Sequence, residues 1–229
     1  KMAKLEGTSG RRGATRRDFL KSSAIAASAA ISGAHSIAKN AYAAGSDVLR
    51  VGMIGCGGRN TGAAAQALAA DPGARLVAMC DIFMDRVQAR RERLGSQMKD
   101  QVAVDDDHCF AGFDGYKHVI EASDMVLIAN AAKFHPFHSM AALQAGKHVF
   151  VEKPHGIDPA GIRLMQRASE VAKEKGLCLV SGLQSRYHTG FAETVQRIHD
   201  GAIGDVISIE ENFLRAPYVI IDRAPGLSE

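Results

Sequence analysis

The sequence predicts a doubly wound α/β architecture, a parallel sheet flanked by helices, followed by the start of an α+β second domain built on an open sheet. Three observations predict it. From Asp47 onward, short apolar runs alternate with longer helical patterns, as repeated βαβ units require. The first apolar run ends in a cluster of glycines, Gly55-Cys56-Gly57-Gly58. After Gln184 the rhythm changes to a helix and one long alternating run.

Val48–Ile54 is a β-rich apolar run, and Thr61–Ala70 is alanine-rich and helical. Arg75–Cys80 reads as the second strand, and Phe83–Leu94 as a charged helix. Residues Gly95–Gly112 are polar and predict irregular structure. A helix over Tyr116–Ala122 leads into the buried-type strand Met125–Ala129. Phe137–Ala145 is helical and stops at Gly146, a residue suited to a helix C-terminus. His148–Val151 is a strand, Pro159–Lys175 an amphipathic helix stopped by Gly176, and Leu177–Val180 another strand. Beyond them a helix over Phe191–Asp200 and a strand over Gly204–Leu214 open the second domain.

The 229 residues contain 46% hydrophobic and 23% charged residues, globular values that exclude a disordered body. No run of 18 apolar residues occurs, which argues against a membrane-spanning enzyme. The net charge of +3 comes from one segment: residues 1–43 carry eight Lys/Arg against Glu6 and Asp18. The remainder has 20 basic and 23 acidic residues and is net −3, so nothing in it suggests nucleic-acid binding. The chain opens on Lys1 and closes at Glu229 inside an expected second domain, and so reads as a C-terminally truncated fragment of a longer protein.

The basic segment has the three parts of an export signal. Thr15-Arg16-Arg17-Asp18-Phe19-Leu20-Lys21 ends a basic region, Ser22–Ala34 is weakly apolar, and Ala41-Tyr42-Ala43 supplies a small-x-small cleavage pattern. Paired arginines followed by x-Phe-Leu-Lys match the twin-arginine signal, which is read by the export machinery as an address. The expected location is therefore periplasmic or otherwise extracytoplasmic. Cys56, Cys80 and Cys178 lie in or beside apolar runs and are expected to be free, buried thiols. Asp105-Asp106-Asp107-His108-Cys109 has ligand chemistry, but consecutive residues do not easily converge on one ion, so a polar loop is expected and no metal site.

The glycine cluster carries the first chemical signal. Gly55-Cys56-Gly57-Gly58-Arg59-Asn60 follows a strand and opens a helix, the setting of a pyrophosphate-binding turn. Gly55 permits the turn, Gly57 permits close backbone approach, and the helix beginning near Arg59 offers free N–H groups to phosphate. Asn60 stands where a third glycine is usual. Asp81 closes the second strand 21 residues after Asn60, placed to accept the adenosine ribose hydroxyls. A carboxylate there repels a 2′-phosphate, so the expected cofactor is NAD rather than NADP, with Arg86 five positions on as the qualifying basic residue. The second signal is Glu152-Lys153-Pro154 at the end of another parallel strand, where ligands of such sheets sit. An ammonium group at Lys153 can hold a substrate oxygen or shuttle its proton.

The twin-arginine leader, the Gly-Cys-Gly-Gly-Arg turn, Ala145–Pro154 (Ala-Gly-Lys-His-Val-Phe-Val-Glu-Lys-Pro) and Asp200–Asp205 together resemble the glucose-fructose oxidoreductase/inositol dehydrogenase (Gfo/Idh/MocA) family. The resemblance covers essentially all of residues 47–229. It implies a Rossmann domain binding NAD(P) over 44–183 after a signal peptide at 1–43. It also implies an incomplete substrate and oligomer domain over 184–229. Lys153 is implied to lie beside nicotinamide and substrate, and Glu152 beside the cofactor. The family's usual Ala-Thr-Pro is here Ala129-Asn130-Ala131, making Asn130 a cofactor contact, and the loop histidine falls at His135 or His138, with spacing favouring His135. Gln184-Ser185-Arg186-Tyr187-His188 follows the last Rossmann strand, and Arg186, Tyr187 and His188 are candidate substrate contacts, with an interdomain hinge as the other reading. The family's Asp/His pair would fall beyond Glu229. The implied activity is hydride transfer between nicotinamide and a sugar or polyol hydroxyl. An NAD-dependent glycosidase and a non-catalytic sugar-binding relative are the alternatives.

Overall fold

The structure, a computed structural model, describes residues 48–214. The expected export signal and its cleavage pattern fall outside the described residues, as do 215–229. The chain divides into two compact units between Gly182 and Leu183.

The first unit is built on six parallel strands: β1 (Leu49–Ile54), β2 (Ala74–Asp81), β3 (Cys109–Ala111), β4 (Met125–Ile128), β5 (His148–Val151) and β6 (Leu179–Ser181). Their order across the sheet is β3-β2-β1-β4-β5-β6, every neighbouring pair parallel. The order reverses direction between β1 and β4, and the crevice outside that point is where such sheets bind ligands. Five helices cover the sheet: α1 (Gly58–Ala70), α2 (Met84–Met98), α3 (Gly115–Ala122), α4 (His135–Gln144) and α5 (Pro159–Glu174).

Alternation of side chains along each strand feeds two cores. Ile54, Ile128, Val149 and Val151 pack on one face with Val119, Leu143 and Ala168 from α3, α4 and α5. Val51, Met53, Leu76 and Met79 pack on the other with Leu68 from α1 and Val87 and Leu94 from α2. Burial on both faces explains why the strands read as apolar runs rather than polar–apolar alternation. Gly52 is required by packing: a Cβ there would lie 2.2 Å from Ser123 Oγ and 2.5 Å from Val119 Cγ1.

Helix α1 begins at Gly58 instead of Thr61, so the glycine pair belongs to its cap and first turn. Helix α2 runs four residues past the expected Leu94. The stretch expected to be irregular, Gly95–Gly112, contains β3, an edge strand of three residues paired with Met79–Asp81. Its shortness and polar approach hid it; pairing with β2 is what makes it a strand. Strand β6 starts two residues later than expected, and Cys178, expected to be buried, is exposed because β6 is the sheet's other edge. All four cysteines are free thiols.

The described part of the second unit holds a 3-10 turn at Gln184–Tyr187 and helix α6 (Thr189–His199). The strand expected over Gly204–Leu214 is absent: these residues form no ladder, and Ile207 and Ile209 are 91% and 86% exposed. A strand exists only through a neighbour that takes its N–H and C=O groups, and no described residue pairs with this stretch.

Candidate dinucleotide site

The glycine turn joins β1 to α1. Gly55 has φ +91°, and its N–H donates to Cys80 O at 2.8 Å. A Cβ on Gly55 would lie 2.7 Å from Asn130 Cα, so this glycine serves both backbone conformation and close approach to the loop after β4. Gly57 and Gly58 differ: a Cβ at either would meet nothing within 4 Å, and neither has positive φ. Nothing in the described fold requires glycine at these two positions. The space in front of them is open to a ligand. Gly57 caps α1 without any side-chain hydrogen bond, so the first-turn N–H groups are available to an anion. The residues present therefore fit a bound pyrophosphate.

Asn60 is fully buried, its Nδ2 donating to Ile54 O (3.0 Å), Gly55 O (2.9 Å) and Leu127 O (3.0 Å). That side chain staples the turn to β1 and β4 and faces away from the open space. Its side chain is thus spent on the fold, and what Asn60 can offer a cofactor is its backbone N–H in the first turn of α1. Cys56 is buried as well, and burial raises its thiol far above the usual range; its Sγ donates to Cys80 O at 3.5 Å. Only the backbone of Cys56 faces the site, through its N–H, which donates to Asp81 Oδ2 at 2.7 Å. Asp81 Oδ1 accepts from Phe83 N at 3.3 Å.

A cleft of about 250 Å³ opens beside this turn, outside the carboxyl ends of β2, β1 and β4. Gly55, Gly57, Asp81 and Asn130 line it together, which joins four of the sequence-predicted residues in one place. Arg86, Phe113, Tyr116, Phe134 and His138 complete the wall. His138 stacks with Tyr116 (centroids 4.2 Å) and Phe134 (5.8 Å), and its Nδ1 faces Asn130 Nδ2 at 3.1 Å. Desolvation, reinforced by the neighbouring His135, pulls His138 down to a pKa of about 4 and keeps it neutral.

His135 lies behind this wall, 1% exposed, in the first turn of α4. Its Nδ1 faces Pro154 O at 2.8 Å and its Nε2 faces Asn130 O at 3.1 Å. The ring braces the loops after β4 and β5 against each other. Of the two histidines, the one favoured by spacing is thus a buried brace and the other faces the cleft. The i, i+3 spacing on one helix could have separated them only with the helix start in hand.

Glu152 follows β5 and is 4% exposed. Its Oε1 accepts from Arg59 Nε at 2.7 Å, and its Oε2 from Lys153 N at 3.2 Å. Arg59 and Glu152, both predicted as cofactor contacts, are therefore each other's partners. Lys153 is exposed at the carboxyl end of β5, one strand over from Asn130 and outside the cleft lining. Arg186, Tyr187 and His188 are exposed residues of the second unit, in and just after its 3-10 turn. Asp105 caps the turn 106–108, accepting from His108 N at 2.9 Å, and among the described residues no cluster of metal-ligand side chains forms.

Comparison with known proteins places this geometry. The profile of the oxidoreductase family with an NAD-binding Rossmann fold (Gfo/Idh/MocA) matches residues 49–183. The chain is 29% identical over 177 residues to a dTDP-3,4-didehydro-2,6-dideoxy-α-D-glucose 3-reductase of Actinomadura kijaniata, covering 76% of this chain and 48% of the relative. It is 27% identical over 180 residues to inositol 2-dehydrogenase of Salmonella typhimurium, covering 77% and 49%. A glycosyl hydrolase family 109 protein of Streptomyces coelicolor is 28% identical over 169 residues, covering 72% and 34%. The chain spans about half the length, or less, of these curated relatives. Among solved structures, a 3-ketoreductase from A. kijaniata in complex with NADP and TDP-benzene superposes with a TM-score of 0.53 at 27% identity, covering 69% of this chain and 44% of that one. A myo-inositol 2-dehydrogenase from Lactobacillus plantarum gives a TM-score of 0.56 at 26% identity, covering 70% and 43%. The Rossmann sheet, the glycine turn and the profile match agree: this chain belongs to the Gfo/Idh/MocA oxidoreductase family.

Proposed function

We propose that the protein is an NAD(P)-dependent oxidoreductase acting on a CH–OH group of a sugar or cyclitol. The observation that carries the reading is the open glycine turn in front of α1, with Asp81 on the same cleft wall and Lys153 one strand beyond Asn130. When bound, the nicotinamide supplies the acceptor or donor of hydride. The residues of this chain bind and orient: the α1 N-terminus holds pyrophosphate, and Asp81 takes ribose hydroxyls, which favours NAD over NADP. Lys153 holds the reacting oxygen of the substrate and carries its proton. Glu152 fixes the backbone from which Lys153 projects, and His135 ties that loop to Asn130. Arg186, Tyr187 and His188 are proposed to contact the sugar.

The relatives' names support the substrate class, since a deoxysugar reductase and an inositol dehydrogenase are among them. The family 109 glycosyl hydrolase relatives favour one alternative, a glycosidase that oxidises and re-reduces its substrate on the same cofactor. The twin-arginine motif supports export in the folded state, and the family supports a homo-oligomer. Incubating full-length protein with NAD and a panel of sugars, cyclitols and aryl glycosides tests the reading. NADH formed in proportion to oxidised polyol is the expected result. Aglycone release without net NADH would assign the glycosidase instead, and neither would reject both.

A further inference from the structure

Lys153 stands at the apex of a short loop whose two ends meet on one residue. Val151, the last residue of β5, pairs in the ladder with Ser181, the last residue of β6. Four residues on, His155 turns back to the same strand end, where its Nε2 and the Ser181 Oγ share a hydrogen bond of 2.6 Å. Backbone pairing closes one side of the loop and a side-chain bond closes the other, with Lys153 midway between them.

Ser181 and His155 line a recess of about 350 Å³, and Val151, Ile162, Met165 and Leu179 supply most of its remaining wall. Two apolar side chains would suit this setting; a serine and an imidazole instead tie the loop to the strand. The other neighbours of Lys153 are held as well. Glu152 Oε1 accepts from Arg59 Nε at 2.7 Å, its Oε2 from the Lys153 N–H at 3.2 Å, and Pro154 O faces His135 Nδ1 at 2.8 Å. A Cβ on Gly182 would lie 3.1 Å from Glu152 Cα, so the chain leaving β6 is pressed against this loop. Residues 152, 154 and 155 are therefore fixed to α1, α4 and β6 in turn, while Lys153 among them is exposed. Its backbone is held on every side and its ammonium holds no carboxylate among the described residues.

We propose that His155 is a positioning residue: bound to Ser181, it fixes the loop from which the Lys153 ammonium is presented to the reacting oxygen. The proposal rests on the reading of Lys153 as the group that holds that oxygen. Of the three ties, the His155–Ser181 bond is the one made on the β6 side, and neither residue lines the dinucleotide cleft. Its loss is therefore expected to act on turnover and not on cofactor affinity. A reacting group displaced by about 1 Å loses on the order of 100-fold in rate.

Turnover is measured on full-length protein with NAD and the polyol of the panel above that wild-type protein oxidises fastest, and NAD affinity by titration of the same preparations. His155→Leu and Ser181→Ala are each expected to lower kcat about 10- to 100-fold, with NAD affinity changed by about twofold at most. His155→Gln keeps a polar group within reach of Ser181 and should recover most of the loss. Because the effect passes through Lys153, adding His155→Leu to Lys153→Ala should lower kcat by less than about threefold further. Full additivity in that pair, losses of NAD affinity equal to those of kcat, or unchanged kcat in both single variants would each overturn the proposal. Hydrogen exchange over residues 152–156 reads the tie without any substrate. It should be at least about tenfold faster in His155→Leu, and unchanged exchange would reject the tie itself. Faster exchange in that variant, with no polyol oxidised by wild-type protein, would overturn instead the functional reading on which the role depends.

Discussion

Arg59 donates from Nε to Oε1 of Glu152 at 2.7 Å, linking the first turn of α1 to the residue that follows β5. Arg59 is half-exposed and Glu152 buried, so the pair sits where one partner is still solvated and the other is not. A cation in the first turn of a helix opposes the macrodipole, and the carboxylate offsets that cost. Gly182 is held to the same arrangement, because a Cβ there would lie 2.5 Å from Glu152 Oε1.

Removing the arginine strands a buried carboxylate. Arg59→Ala is expected to destabilise the first unit by about 1–3 kcal/mol, below the 3–5 kcal/mol of a fully buried pair because Arg59 is half-exposed. Urea denaturation of Arg59→Ala, Glu152→Gln and the double variant measures it. A coupling near zero in that cycle would show that the pair contributes nothing to stability.

Lys153 separates chemistry from binding. Lys153→Ala is expected to lower turnover by about 10²–10⁴-fold, the range for a positioned proton-transfer group. Its effect on NAD affinity should be far smaller, since Lys153 lies outside the lining of the cleft. Steady-state kinetics and equilibrium NAD titration on the same preparation decide it. Unchanged turnover would remove Lys153 from the mechanism.

Asp81→Ser is expected to narrow the proposed preference for NAD over NADP by roughly 1–3 kcal/mol, the scale of hydrogen bonds to a charged group. Competitive titration with both dinucleotides reads this out. Tighter binding of NADP than of NAD by wild-type protein would contradict the assignment of Asp81 as the selecting residue.

His138 makes stability depend on pH in a defined window. Its pKa is depressed to about 4 from an ordinary 6.5, so the unfolded chain binds a proton that the folded one refuses. Stability is therefore full above about pH 6.5 and falls as pH drops toward 4, by up to roughly 3 kcal/mol. The arginine-paired carboxylate Asp124, held below its usual range by Arg50, loses its contribution only at lower pH. Denaturation midpoints between pH 7 and pH 4.5 should drop in wild-type protein and drop less in His138→Phe, which keeps an aromatic ring against Tyr116. Parallel pH profiles for the two proteins would exclude His138 as the source.

The proposed export in the folded state bears on the cofactor. Free dinucleotide is expected to be scarce outside the cytoplasm, so an exported enzyme would carry its own. With association at about 10⁶ M⁻¹s⁻¹, a residence time of hours needs a Kd near ~10⁻¹⁰ M. Mature protein purified without added NAD is expected to release dinucleotide on denaturation. An empty supernatant, with activity strictly dependent on added NAD, would reject a carried cofactor.

The parallel sheet, its five covering helices and the position of the glycine turn were legible in the residues alone. Their signals are local: apolar runs bounded by glycines, helical periodicity and a strand-ending acid at Asp81 are properties of consecutive residues. The predicted strand over Gly204–Leu214 and the missed strand Cys109–Ala111 show where that ends, because an edge strand is defined by its neighbour. The same limit governs the site. Asn60, Arg59 and Glu152 carry the right chemistry for a ligand, yet the fold spends it on Leu127, on the turn and on one another. His135 and His138 are indistinguishable as residue types, and only the start of α4 turns one into a brace and the other toward the cleft. A hydrogen-bond partner distant in the chain is chosen by packing, and no pattern of neighbouring residues encodes that choice.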